Sequence, residues 1–169
     1  MYLFCMTSTA PSDLNSDPRL ELFRHALAAL AYRAGKTMRD APDTFAEFKT
    51  GEDSRTPAQI VAHMVDLFDW ALSIAEGKQT WHNSKPQPWK QEVDRFFAAL
   101  QRFDDFLASG KASGAPLEKL LQGPVADALT HTGQLAMLRR MASAPMSREN
   151  YFVAEIVVGR VGADQVAPK

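Results

Sequence analysis

A chain of 169 residues has room for one domain with a sizeable core, and 46% hydrophobic with 23% charged residues is an ordinary globular composition. The formal net charge of -1 leaves no basic surplus for a phosphate backbone, which argues against a nucleic-acid partner. The single cysteine, Cys5, excludes an intrachain disulfide and suits a reducing cytoplasm, and no apolar run approaches the length of a membrane span.

The opening MYLFCM is apolar but too short, and lacks the basic start, for a signal peptide. Residues 1–17 are expected to form a flexible arm, because 7–18 is polar and turn-rich, and Cys5 is assigned no role. Asp17-Pro18 has the form of a cap and first turn. Leu20, Phe23, Leu27, Leu30, Ala34 and Met38 recur at steps of three and four, which predicts one helical stripe. His25 falls opposite that stripe, in solvent. Pro42 and Gly51 interrupt the pattern, so 40–55 reads as a loop.

Helix two is predicted over Thr56 to Ala75. Thr56 with Gln59 has the form of a capping box, and Pro57 occupies the first helical position. Ile60, Val61, Met64, Leu67, Phe68, Ala71, Leu72 and Ile74 form a broad apolar arc, with Gln59, Asp66, Asp69 and Ser73 opposite. His63 lies inside the arc toward one edge, beside Leu67 and Trp70. A histidine there is either a core residue with one hydrogen-bond partner or a ligand.

Gly77 ends this helix. The loop that follows holds Trp81, His82, Pro86, Pro88 and Trp89, and its tryptophans either cover an open end of the core or plug its bottom. Helix three is predicted from Pro88 to Ser109, with Val93, Phe96, Phe97, Leu100, Phe103 and Leu107 as its core stripe. GKASGAP is a linker by composition, and 116–122 has room for a turn or two of helix. Gly123-Pro124 then punctuates the chain, with Pro124 placed to start helix four, which runs to about Ser143. The segment SRENYFVAEIVVG after Pro145 has a pattern between strand and short helix. A short helix is expected, because no partner strand is evident. The domain is taken as 18–160, with 161–169 as a tail.

Helix four carries the chemistry. Ala128, Leu135, Leu138 and Ala142 define its inward arc, Asp127 and His131 fall in the middle of that arc, and Gln134 lies on the same side. Residues four apart are neighbours on one helix face, with Cβ atoms about 5–6 Å apart. A carboxylate there is costly unless paired or bound to a metal. Three readings compete: a buried charged or hydrogen-bonded pair, a wet level in the bundle, or convergence of His63, Asp127 and His131 on one divalent ion. Two histidines and one carboxylate leave open positions, as catalytic zinc and non-haem iron sites require. Val125, Leu129, Ala136 and Met137 lie away from the arc. This second apolar face suggests a homodimer, or cover by the segment around Tyr151 and Phe152.

TPAQIVAHMVDLFDWAL, followed much later by DALTHTGQLAMLRRM, resembles the DinB-like family of four-helix-bundle proteins. In that family a histidine on the second helix and an H-x-x-x-H pair on the fourth hold a divalent metal. His63 matches the former. His131, followed by Thr132-Gly133-Gln134-Leu135, matches the second histidine of the pair. The first histidine of the pair falls on Asp127, a departure that makes the ligand set anionic.

The resemblance covers roughly residues 18–160. It implies an all-α four-helix bundle with a long crossover connection, plus a short C-terminal segment. It implies a metal held by His63, Asp127 and His131, zinc or nickel first, with iron and manganese also accommodated. Gln134 would orient a ligand, and Trp70, Trp81 and Trp89 would line the pocket. The family is similar in fold to bacillithiol- and mycothiol-dependent transferases, which points to thiol transfer or hydrolysis on a small-molecule substrate, with a low-molecular-weight thiol as co-substrate. The rival class is a non-catalytic metal-binding or small-molecule-binding stress-response protein.

Overall fold

The computed structural model describes residues 17–164, so Cys5 and the expected arm up to residue 16 lie outside the described residues. The described residues are all-helical, with no strand. The long elements are α1 (Pro18–Met38), α2 (Pro57–Ala75), α3 (Trp89–Ala108) and α5 (Ala126–Met141), with a single turn α4 (Leu117–Leu120) leading into the last. No helix among them is long and apolar enough to cross a membrane.

Local chemistry sets the starts. The Asp17 carboxylate accepts the Arg19 amide at 2.9 Å, and Pro18 pre-sets the first turn of α1. At α2 the Thr56 hydroxyl accepts the Gln59 amide at 3.2 Å, while the Thr56 amide donates to Gln59 Oε1 at 2.8 Å. Two otherwise orphaned donors are thereby satisfied reciprocally. After α2 the chain turns at Gly77, whose φ of +79° is the left-handed conformation glycine tolerates best. The linker at Gly114 is pinned to this end: its amide donates to the Ala75 carbonyl at 2.8 Å. A Cβ on Gly114 would meet the Ile74 carbonyl oxygen at 2.7 Å.

The four long helices close a ring. α1 packs on α3 and α5, and α2 packs on the same two. Leu27, Leu30, Met64, Phe68, Phe96, Leu100, Phe103 and Leu135 fill its centre, fully buried. Phe68 lies edge-on to Phe96 at 5.9 Å and tilted on Phe103 at 6.2 Å, and Phe23 meets Phe103 edge-on at 6.1 Å. Each such ring contributes about 1.5–3 kcal/mol by leaving water. The Arg24 guanidinium forks onto the buried Asp104 carboxylate at 2.9 and 2.8 Å, tying α1 to α3.

The structure departs from the sequence expectations in several elements of the scaffold. Within 40–55 a 3-10 turn, Asp43–Glu47, sets Phe45 into the core against Trp89. Asp66, expected on the solvent face of α2, is 1% exposed, because the loop after α2 folds over it and Ser84 donates its amide to Asp66 Oδ2 at 2.8 Å. Gly123-Pro124 does not begin a helix. The chain runs from α4 through a π-helical turn, Leu121–Val125, directly into α5. Pro124 has no amide proton and its ring crowds the carbonyl four residues back, and the wider turn relieves both while rotating Val125 into the core.

The segment after Pro145 forms only a 3-10 turn, Tyr151–Val153, with no buried residue. Tyr151 instead lies edge-on to Tyr32 at 6.3 Å, with the Arg33 guanidinium 4.1 Å above its ring, while Phe152 is 94% exposed. Val161, just past residue 160, is fully buried.

Candidate metal centre

α2 contributes His63 and α5 contributes Asp127 and His131. His63 Nε2 lies 3.4 Å from Asp127 Oδ2, and His131 Nε2 lies 3.6 Å from Asp127 Oδ1. The two imidazoles stand nearly perpendicular, with centroids 4.9 Å apart. One ligand atom from each of the three residues lies within 4.8 Å of the others, so the group could hold a metal ion. Direct hydrogen bonds between such groups would run to about 2.7–3.2 Å. The edge of a tetrahedron with bonds of about 2.1 Å is about 3.4 Å. The Asp127 contacts are longer than direct hydrogen bonds and close to that edge length, each histidine facing a different carboxylate oxygen, and the donor types suit a borderline divalent cation.

Each donor is prepared by its surroundings. His131 is 8% exposed and its Nδ1 lies 2.7 Å from Gln134 Oε1. With the carboxamide oxygen as acceptor, Nδ1 carries the proton and the lone pair of Nε2 faces Asp127. Burial lowers the His63 pKa, and the neighbouring His131 and Arg55 lower it further against the opposing pull of Asp127. His63 is therefore held in the neutral form that ligates metals.

Asp127 does not occupy the centre of the buried arc. Its side chain is 46% exposed. The reason lies in two polar residues that the apolar wheel ignored: Thr132 and Arg139 are both buried. The Thr132 hydroxyl donates to the Ala128 carbonyl at 2.9 Å, and the Arg139 guanidinium donates to the carbonyls of Ala144 at 2.7 Å and Arg39 at 3.0 Å. Their burial turns α5 so that Leu135 faces the core and Asp127 comes to the rim.

Around the triad the surface is concave. Trp81 lies edge-on to both His63 and Trp70 at 5.8 Å, and these rings, with Leu67, Gln79 and Asp127, line a cavity of about 510 Å³. Beside His131, Ile60, Gln134, Met137, Leu138 and Met141 line a second, open cavity of about 450 Å³ together with Thr50, Ser54 and Arg55. A third, of about 350 Å³, joins His63 and Arg55 to Gln59, Asp66 and Lys85. Trp89 takes no part in these walls. It lies edge-on to Phe45 at 5.6 Å.

Sequence reasoning passed over Arg55 and Asp66. Arg55 lies outside any helical pattern, and its only signal was its place immediately before the cap Thr56. Asp66 is one turn beyond His63 on the same helix, and Asp66 Oδ1 is buried without a hydrogen-bond partner. Comparison with protein-family models, with curated proteins and with solved structures finds no match for this chain.

Proposed function

We propose that this chain is a metal-dependent enzyme of the DinB-like type. One divalent cation, zinc or nickel, is held by His63 Nε2, His131 Nε2 and a carboxylate oxygen of Asp127, and the reaction is hydrolysis of a small molecule or transfer of a thiol to it. The observation that carries this reading is the triad's convergence: three donors from two helices, with one ligand atom of each within 4.8 Å of the others, beside three cavities. The order of the helices supports the family part, with His63 on the second long helix and Asp127 and His131 on the last, as in a four-helix bundle.

A bound divalent ion lowers the pKa of a water or thiol and so supplies a nucleophile at neutral pH. The residues of the chain do the rest. Gln134 holds the orientation of the His131 ring through its contact with Nδ1. Burial keeps His63 neutral. The half-exposed Asp127 adds a negative charge that favours retention of a dication, and leaves the outer side of the site open to substrate. Trp70 and Trp81 supply an aromatic wall on the His63 side.

The test is metal content by mass spectrometry on protein purified without a nickel column, with His63→Ala and Asp127→Ala beside the wild type. The expected result is about one equivalent of one metal in wild type, lost in His63→Ala and reduced at least tenfold in affinity in Asp127→Ala. No uptake by wild type, even after soaking with divalent ions, would reject the metal centre. Metal uptake with no turnover of any thiol and electrophile pair, or of any hydrolysable ester or amide, would leave a binding protein.

A further inference from the structure

Arg55 occupies an unusual position. It stands immediately before the α2 cap, is exposed, and makes no hydrogen bond or ion pair among the described residues, yet it lines both the cavity beside His131 and the cavity beside His63. Its backbone is well fixed. On one side is the Thr56–Gln59 capping box. On the other is a tight turn in which the Ser54 hydroxyl donates to the Gly51 carbonyl at 2.8 Å and accepts the amides of Thr50 and Gly51, each at 3.1 Å. The guanidinium is thus a cation with an unused fork, carried on a preorganised wall and facing space next to the triad.

The space has a definite character. Beyond Arg55, the cavity of about 450 Å³ is walled by Ile60, Met137, Leu138 and Met141, and its inner end is His131. Met137 and Met141 are 61% and 50% exposed, flexible and polarizable, and suited to apolar bodies of varied shape. The volume is that of a small-molecule site. The neighbouring cavity at Lys85 has polar walls and the buried Asp66 carboxylate, and it offers no comparable apolar surface.

We propose that this cavity binds a monocarboxylate with an apolar body, the carboxylate forked on Arg55 and the body lying along Met137, Leu138 and Met141 toward His131, and that this is the substrate class of the site. The assignment to substrate rests on the metal-centre reading. The binding itself does not. One guanidinium matches one carboxylate in charge and in bidentate geometry. A phosphate dianion would bring a second negative charge against a single cation. A neutral amphiphile would leave the Arg55 fork unused.

The probes are octanoate, octanol and acetate, titrated calorimetrically into the full chain, first stripped with a chelator and then loaded with zinc. Octanoate is expected to bind the stripped protein, with octanol weaker by about tenfold or more and acetate giving no measurable binding. Arg55→Gln, at an exposed residue without partners, is expected to bring octanoate down to the level of octanol. Met137→Glu, also at an exposed position, places a negative charge on the wall and is expected to weaken octanoate to a similar extent. Equal affinity for octanoate and octanol, or full affinity in Arg55→Gln, would overturn the proposal. The two readings fail separately. Arg55-dependent octanoate binding without zinc uptake keeps the site and removes the metal. Zinc uptake without Arg55-dependent octanoate binding does the reverse.

Discussion

Glu149 is buried where the C-terminal segment crosses α1, and it accepts hydrogen bonds from the Tyr32 hydroxyl and the Lys36 ammonium. Burial alone would raise its pKa, but those two donors outweigh it and the pKa falls below the ordinary carboxylate value. A carboxyl whose folded pKa is depressed gives stability that is present above its unfolded pKa, about 4.3, and lost as pH falls through the folded value. Tyr32 works at the other end: burial, then the Glu149 carboxylate, raise its pKa to about 12. Its contribution is therefore complete below about 10 and lost as pH rises toward the folded value. Glu149→Gln leaves Lys36 buried without its counter-charge and should cost about 3 kcal/mol at pH 7. In denaturant titrations the gap between wild type and variant should narrow below about pH 4, and Tyr32→Phe should remove part of the alkaline loss. A gap that is the same at pH 3 and pH 7 would mean that the pair contributes nothing through its charge. This pair was invisible in the sequence, because Lys36 and Glu149 are 113 positions apart and no local pattern links them. His63 and His131 were legible, because each stands among apolar residues at helical spacing. The exposure of Asp127 was not, because a wheel weighted by hydrophobicity gives no credit to Thr132 and Arg139, which bury themselves by donating to backbone carbonyls.

The helix starts were legible for a related reason: capping is a contest settled within four residues. Thr56 and Gln59 satisfy each other's backbone amides at the start of α2, two turns before His63. Thr56→Ala should therefore cost about 1 kcal/mol of stability, read as a lower denaturant midpoint at unchanged slope, while Thr56→Ser should cost little. A Thr56→Ala midpoint equal to wild type would show that tertiary packing alone holds the start of α2. Gly123-Pro124 misled for the same reason that caps inform. Proline is at home in a first helical turn, and the sequence contains nothing to show that α4 would already be in place and force Pro124 into a π turn instead. The 3-10 turn that buries Phe45 spans only five residues, too few for any periodicity to reveal.

At the scale of the molecule, apolar stripes specify that helices form and which faces they bury, but not which helices become neighbours. The ring in which α1 and α2 each contact α3 and α5 follows from packing across the whole chain. That ring brings His63 to Asp127 and His131 across 64 and 68 positions of sequence, so an ion held by all three would cross-link α2 to α5. In the unfolded chain Asp127 and His131 remain close but His63 does not, and the affinity collapses. Binding is then coupled to folding, and a free metal concentration of about 100 times the dissociation constant should add about 2.7 kcal/mol of stability. In a domain of this size that corresponds to a rise in melting temperature of about 5–11 °C. Scanning calorimetry of zinc-loaded protein should show the rise, and excess chelator should abolish it. His63→Ala should melt at nearly one temperature in both conditions, because the two donors left on α5 hold the ion too weakly to favour the folded chain. A wild-type melting temperature indifferent to zinc and chelator would mean that the triad closes the rim of the bundle as a polar contact and holds no ion.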